Sequence, residues 1–393
     1  MIERMRIDEI AEVTKLAGFE FTKHIQYIPD GEIIAVRALN LKDGRLVFED
    51  VKRIDRSVSD GLTRSKLFKH DIVLSYTGTI GESAQIDEND RYHLAPNVAK
   101  ITPHIEKVNP HYLFFYIRSN EFKQQMLNHA HGSTQMTVPM KVIRELTVPI
   151  CERSVQNRIA YILSLIDKKI EVNAQINDNL QQQALTIFQQ ELLRDGELPI
   201  GWKRGNLLDI ANYLNGLAMQ KFRPADGESG LPVLKIKELR QGSCDASSEL
   251  CSPSIKPEYI VHDGDVIFSW SGSLLVDFWC GGTCGLNQHL FKVTSEKYPK
   301  WFYYAWTAHH LARFVAIAAD MATTMGHIKR EELAKSEVVI PDPASMERIG
   351  AVLQPMYDLV ISNRIENRKL AVLRDTIIPQ MMSGEIDVSD IDI

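Results

Sequence analysis

The chain has 393 residues, enough for two or three domains. Apolar residues make up 44% and charged residues 24%, which excludes a disordered or fibrous chain, and no apolar run approaches the ~20 residues needed to cross a bilayer. The formal charge is −6, from 45 basic and 51 acidic residues, which taken alone argues against a nucleic-acid partner.

The start, MIERMRIDEI, carries acids and no apolar core of a secretory signal, so the expected location is the cytoplasm. Residues 51–70 concentrate Lys52, Arg53, Arg56, Arg64, Lys66 and Lys69 against Asp55 and Asp60. Two readings stay open here, a local basic face and an ordinary solvated loop. Next comes an apolar strand with a glycine turn, His70-Asp71-Ile72-Val73-Leu74-Ser75-Tyr76-Thr77-Gly78. Asn97 opens a second strand-like run. Asn109-Pro110-His111-Tyr112 opens an aromatic helix through Tyr116. Gly132-Ser133-Thr134-Gln135-Met136 follows, then an apolar strand ending at Pro149.

Residues 154–193 contain almost no helix breaker. Apolar positions recur at spacings of four and three: Ile159, Leu163, Ile166, Ile170, then Asn173 and Asn177, then Leu180, Ala184 and Ile187. This is a heptad seam, so the surface it meets should be another helix. Ser154 is the expected N-cap.

The chain then repeats itself at an offset near 190 residues. Gly264-Asp265-Val266-Ile267-Phe268-Ser269-Trp270-Ser271-Gly272 matches the first strand and turn, and Asn287 matches Asn97. The aromatic helix returns as Tyr298-Pro299-Lys300-Trp301-Phe302-Tyr303-Tyr304-Ala305. Ala322-Thr323-Thr324-Met325 stands at the Gly-Ser-Thr-Gln position, and the closing strand ends at Pro341. A second seam follows: Ile349, Leu353, Met356, Val360, Asn363, Asn367, Leu370, Arg374 and Ile377. Asp342 before Pro343 is a sound start for it. An interior proline costs ~3 kcal/mol, so Pro355 predicts a kink or a late start, and Pro379 the end. Much of the acidic excess lies beyond, in Glu385, Asp387, Asp390 and Asp392.

Order sets topology. One helix carries the chain from the first globular copy to the second, and the other returns from it, so the two should pack antiparallel, spanning at most ~60 Å. The expected fold is α/β (α+β): two globular domains separated by an antiparallel two-helix coiled coil, a pseudo-twofold internal repeat. The boundaries are 1–150 and 196–340 for the globular domains, 151–195 and 341–385 for the helices, and 386–393 for an acidic tail. Buried asparagines in a coiled coil set register at a cost in stability. Antiparallel packing lets Asn173 face Asn367 and Asn177 face Asn363. It also sets Arg374 against Ile166, a less comfortable pair.

Catalytic motifs are missing. No Gly-Lys dipeptide occurs, so there is no phosphate-binding loop, and no glycine-rich loop follows a strand in the dinucleotide pattern. Asn109-Pro110-His111-Tyr112 shares only its flanking letters with the NPPY box of amino-methyltransferases. Pro29-Asp30 with Glu121-Phe122-Lys123 imitates a nuclease pattern that arises by chance in most chains. His129 and His131 suit a surface loop. Five cysteines, Cys151, Cys244, Cys251, Cys280 and Cys284, fit a reducing compartment. Cys280 and Cys284 with His289 lack the spacing and second pair of a zinc module, so small buried thiols are the preferred reading. The aromatic run Trp301–Trp306 reads as core rather than as a stacking platform for bases.

In order and duplication these motifs resemble the specificity (S) subunit of type I restriction–modification systems. The residues that carry the likeness are Asp71–Ser75 and Asp265–Ser269 with their glycine turns, Asn287-Gln288-His289, and Gly132-Ser133-Thr134-Gln135. Most telling is Gln156-Asn157-Arg158-Ile159 through Asn173 and Leu180, echoed by Glu347-Arg348-Ile349 through Asn363 and Leu370. The second copy departs at Ala322–Met325, which lacks the Gly-Ser and the Gln.

The resemblance implies a non-catalytic DNA-binding chain. Its two target recognition domains would each read half of a bipartite site in double-stranded DNA. Its helices would fix the gap and dock two methyltransferase (M) subunits, with restriction/translocase (R) subunits completing the complex. No cofactor is expected in this chain; S-adenosylmethionine, ATP and magnesium would belong to the partner subunits, and no membrane is involved. Because the two copies differ outside the shared motifs, the target should be asymmetric. Phosphate contacts are expected from Arg64, Lys66 and Lys69 with Thr77 and Thr79 in the first copy. In the second copy they are expected from Lys221, Arg223, Lys235 and Lys237 with Ser271 and Ser273. The competing readings are a self-sufficient methyltransferase or nuclease with fused recognition domains, and a helical scaffold that reads no DNA.

Overall fold

The computed structural model describes residues 2–132, 135–193, 196–320, 328–389 and 391. The chain forms two compact units: residues 1–168 with 370–393, and residues 169–369. Each is built on the same plan.

In the first unit a four-stranded antiparallel sheet runs in the order Ala11–Lys15, Val98–Pro103, Ile72–Ser75, Ser83–Gln85. The second unit has the matching sheet Asn212–Asn215, Leu290–Thr294, Val266–Ser269, Leu275–Phe278. All four residues of each expected strand, Ile72–Ser75 and Val266–Ser269, are buried, as a strand covered on both faces should be. A two-stranded ribbon accompanies each sheet: Glu3–Arg6 with Thr147–Ile150, and Lys203–Asn206 with Glu337–Ile340. A third, mixed sheet recurs as well. It pairs Ile33–Val36 in parallel with Tyr92–Leu94 in the first unit, and Leu231–Leu234 with Cys284–Leu286 in the second.

The aromatic helices lie against these sheets. Asn109 caps the first (Pro110–Arg118), its side-chain oxygen accepting from the His111 and Tyr112 amides at 2.8 and 3.1 Å. Tyr112 is fully buried and its hydroxyl donates to the Pro149 carbonyl at 2.7 Å, so the NPPY-like segment is built into the core. In the second (Lys300–His309), every residue from Trp301 to Thr307 is buried. Trp301, Phe302 and Trp306 share one cluster with Phe188, whose ring meets Trp306 edge-on at 5.0 Å. That packing leaves no face for base stacking.

Two 40-residue helices complete the plan, Arg153–Leu192 and Pro343–Met382. Three expectations about their ends are corrected. The first helix starts before Ser154, with the Gln156 amide bonding the Glu152 carbonyl at 3.0 Å, so Ser154 is inside the first turn and not its cap. Pro355 neither delays nor interrupts the second helix. Pro355 is exposed, and so is Ala351, whose carbonyl loses its helical donor, so the gap in the hydrogen-bond ladder lies on the solvent side of the helix. Pro379 does not end the helix, which runs to Met382 and stops before Gly384 at φ +78°. The expected start holds: Asp342 accepts from the Ala344 and Ser345 amides at 3.0 and 3.2 Å and from the Trp202 indole at 2.9 Å.

The helices pair antiparallel within each unit. In the second, the Asn363 amide donates to Asn177 at 2.9 Å and the Asn173 amide to Asn367 at 2.8 Å. Asn177 further reaches the Val360 carbonyl, and Asn367 the Ile170 carbonyl at 3.1 Å. Glu191 with Arg348 at 2.7 Å continues the same register. Ile349, Leu353 and Val360 are buried here, while Leu180, Met356 and Ile170 are half-buried. In the first unit Ile159 and Leu163 are buried against Ile378, Met381 and Met382, with Ile166 and Leu370 half-buried. Each fully buried side chain of this size contributes roughly 1.5–3 kcal/mol. The register sets Arg374 opposite Ile166 as expected, but its guanidinium has an anionic partner. It pairs with Asp167 at 2.7 Å, which also pairs with Arg118 of the aromatic helix. The second unit fastens helix to domain with the signs exchanged: Arg364 and Arg368 of the helix meet Asp277 and Asp263 of the domain, each at 2.7 Å. No helix among the described residues is long and apolar enough to cross a membrane.

Candidate nucleic-acid interface

At the end of each central strand the chain makes a tight hydroxyl-rich turn. In the first unit this is Tyr76-Thr77-Gly78-Thr79, with Gly78 at φ +79°. The Ser75 hydroxyl donates to the Thr77 carbonyl at 3.3 Å and lies 3.4 Å from the Thr79 hydroxyl. In the second unit Ser269 bonds the Ser271 carbonyl at 3.3 Å and the Ser273 carbonyl at 2.9 Å, and Gly272 sits at φ +63°. A residue with a Cβ is strained at such φ values, so the glycine fixes the turn that presents the hydroxyls.

The hydroxyls divide into two kinds. Thr77 is buried and bonded to Thr137 at 3.1 Å, and Ser271 is buried and bonded to the His289 ring at 3.0 Å. These build the turn. Thr79 is exposed, and Ser273 is half-exposed and accepts from Arg240.

The cations divide likewise. Lys66 is 12% exposed and lies between Asp60 at 2.7 Å and Asp90 at 2.6 Å. The hydrogen bonds it donates to those two carboxylates raise its affinity for its proton, and Lys66 in turn holds Asp90 below the usual carboxylate range. Lys235 and Arg223 share Glu249 at 2.5 and 3.4 Å. Lys237 meets Asp245 at 3.4 Å and Ser247 at 2.7 Å. A phosphate would have to displace these partners. By contrast Arg64, Lys69 and Lys221 are exposed and make no ion pair among the described residues.

Two features escape a reading of the sequence. The first is a cleft of about 390 Å³ at the sheet end of the first unit, which brings Tyr27, Arg37, Leu39, Asn97 and Gln135 to Thr77 and Thr79. Its one sequence signal is the repeated asparagine: Asn97 takes φ +70°, a conformation asparagine tolerates better than most residues. The second is the different filling of the same place in the second unit. There the Trp270 indole donates to Asn215 at 3.0 Å, and His289 joins Ser271 to Gln288. The segments Ser133–Thr134 and Ala322–Met325 lie outside the described residues.

Among the described residues no three His, Cys, Asp or Glu side chains gather as a metal site. Cys280 and Cys284 pack into different apolar clusters, so the zinc-like spacing does not converge. Cys244, not Cys280, packs against the cluster that holds Cys284. In the nuclease-like pattern Glu121 is engaged by Arg4 at 2.5 Å and Lys123 by Glu82 at 3.7 Å.

Residues 2–182 and 199–373 each match a family model described as the type I restriction modification DNA specificity domain. The chain is 21% identical over 302 residues to the type I restriction enzyme MjaIX specificity subunit of Methanocaldococcus jannaschii, covering 71% of this chain and 70% of that one. It is 19% identical over 386 residues to the HindI specificity subunit of Haemophilus influenzae, covering 76% and 82%. Among solved structures, the S subunit of a type I restriction–modification system from M. genitalium superposes with a TM-score of 0.56 at 14% identity, over 97% of this chain and 96% of that one. That last likeness is one of fold.

Proposed function

Because both halves of the chain match that model, it belongs to the type I restriction–modification DNA specificity family, and we propose that residues 1–150 and 196–340 each read one half of an asymmetric bipartite DNA target. One observation carries the reading. The same strand-and-turn scaffold occurs twice, but its rim is an open cleft with Thr79 in one copy and a Trp270–His289 network in the other. Base edges specify sequence while phosphate contacts position the protein, so a repeated scaffold with unlike rims suits two unlike half-sites.

The paired helices set the gap between the half-sites, and their outer faces dock two methyltransferase subunits; restriction/translocase subunits join the same complex. This chain positions DNA and performs no chemistry. S-adenosylmethionine, ATP and magnesium serve the partner subunits. Arg64, Lys69 and Lys221 supply phosphate contacts, being the candidate cations without a carboxylate partner.

The test is to co-express the chain with its methyltransferase partner and map modified adenines across a genome. An asymmetric bipartite motif with a fixed gap is expected. A palindromic motif, or methyl transfer by the chain alone from labelled S-adenosylmethionine, overturns the proposal.

A further inference from the structure

The cleft at the sheet end of the first unit has a chemistry more specific than DNA binding in general. Leu39 stands on its wall 70% exposed. It is not a loose loop residue. Asn40 locks the short turn that carries it, accepting from the Arg37 amide at 3.1 Å and donating to the Val47 and Asp50 carbonyls at 3.0 and 2.9 Å. A large apolar side chain held rigidly in water invites an apolar partner. Across the turn lies Gln135. Its amide nitrogen sits 3.6 Å from where a Cβ on Gly78 would be, and the side chain makes no hydrogen bond among the described residues. The cleft thus offers two carboxamides without a hydrogen bond among the described residues, Gln135 and the shorter Asn97, and one free aliphatic group.

Arg37 also lines this cleft, but it is occupied. It is held by the Asp50 carbonyl at 2.5 Å and the Asp50 carboxylate at 3.0 Å. That pairing matters because guanine is commonly read by a bidentate arginine, whereas adenine is read by Asn or Gln at N6 and N7, and thymine by apolar contact with its methyl group.

We propose that this cleft reads one A·T base pair from the major groove, Gln135 bonding the adenine edge and Leu39 packing on the thymine methyl. This rests on the functional reading above and adds to it a residue-level specificity for one half-site. In the second unit Trp270 and His289 occupy the same end of the sheet.

The test uses the full chain in complex with its methyltransferase partner and a randomised duplex library. The wild-type complex should select a bipartite motif containing an invariant A·T pair in one half. Gln135→Ala should reduce the preference at that position by roughly 5- to 150-fold, and Leu39→Ala should reduce it as well, both leaving the other half-site unchanged. Replacing the thymine by uracil should weaken wild-type binding but not that of Leu39→Ala. Replacing the adenine by 7-deazaadenine should weaken wild-type binding but not that of Gln135→Ala. Motifs unchanged in both variants, or a loss spread evenly over all positions, overturn the inference while leaving the functional reading intact. A wild-type complex that selects no bipartite motif overturns the functional reading itself, and this inference with it.

Discussion

Replacing Asp167 by Asn tests how the first unit holds its helices. Asp167 is 22% exposed and stands between Arg118, 9% exposed, and Arg374, 13% exposed. Asn keeps the shape and removes the charge, leaving the buried Arg118 guanidinium without a carboxylate while Arg374 keeps only Asp375 at 2.8 Å. Breaking a buried pair by removing one partner costs about 3–5 kcal/mol; the partial exposure here puts the expectation near the lower end, about 3 kcal/mol. Arg374→Leu should cost about 1 kcal/mol or less, because Asp167 then keeps Arg118 and the half-exposed Asp375 is left to solvent.

The assay exploits an asymmetry of composition. All five tryptophans, Trp202, Trp270, Trp279, Trp301 and Trp306, lie in the second unit. Tryptophan emission during urea unfolding therefore reports that unit alone, while circular dichroism reports both. With a slope of about 2 kcal/mol/M, Asp167→Asn should move the circular-dichroism midpoint of the first unit down by about 1.5 M and leave the tryptophan midpoint in place. The acid limb should change too. Burial alone would raise the Asp167 pKa, but Arg118 and Arg374 outweigh it and hold the carboxyl below its ordinary value. Its stabilisation is therefore present above the unfolded value of about 3.9 and lost as pH falls through the folded one, a loss the variant should lack. Equal costs for Asp167→Asn and Arg374→Leu, or a tryptophan midpoint that moves as far, would refute the reasoning.

Other expectations follow from the same contacts. Asn177→Leu or Asn363→Leu alone strands a buried amide and should cost about 1–3 kcal/mol, whereas the double variant should recover most of that; additive losses in a double-mutant cycle would show that the two amides do not act as a pair. Lys66→Ala should leave the salt dependence of DNA affinity unchanged because its charge is already matched, while Arg64→Ala and Lys69→Ala should each lower the log–log slope by about 0.9; the reverse order would move the phosphate track to Lys66. His93 is fully buried, and burial, with Lys100 and Lys66 adding, pushes its pKa down to about 4. The unfolded state then binds the extra proton between about pH 6.5 and 4, so stability should fall by about 3 kcal/mol as pH drops through that window. His93→Phe should flatten that limb, with a residual slope from His310, also held near 4; an unchanged limb would mean His93 does not titrate with unfolding.

The duplication was legible because its markers are local. An apolar strand ending in Ser-aromatic-hydroxyl-Gly needs only neighbouring residues to form its turn. The helix register was legible for a similar reason: two asparagines four apart on each seam admit one antiparallel alignment that pairs both. What stayed hidden depends on distant charge. Asp167 and Arg374 are separated by 207 positions, and nothing in either neighbourhood marks them as partners. Lys66 belonged to a basic run in the sequence, yet Asp60 and Asp90 reach it only because the chain folds back on both sides of it. The cleft was invisible for the same reason, since Leu39, Thr79 and Gln135 come from three separate loops. Pro355 misled because a helix tolerates proline where the orphaned carbonyl faces water.

One unit is made of two pieces of chain, and this has a consequence for synthesis. Residues 169–369 are contiguous and hold everything their unit requires as soon as they leave the ribosome. The unit begun first must wait, because Ile378, Met381, Met382 and Val388 pack among Ile7, Tyr112 and Phe122. Four such side chains represent roughly 6–12 kcal/mol of burial, comparable with the whole stability of a typical domain. The later-made half of the protein therefore closes ahead of the earlier one, and a nascent chain stopped before Ile378 would harm its own beginning rather than the unit made last.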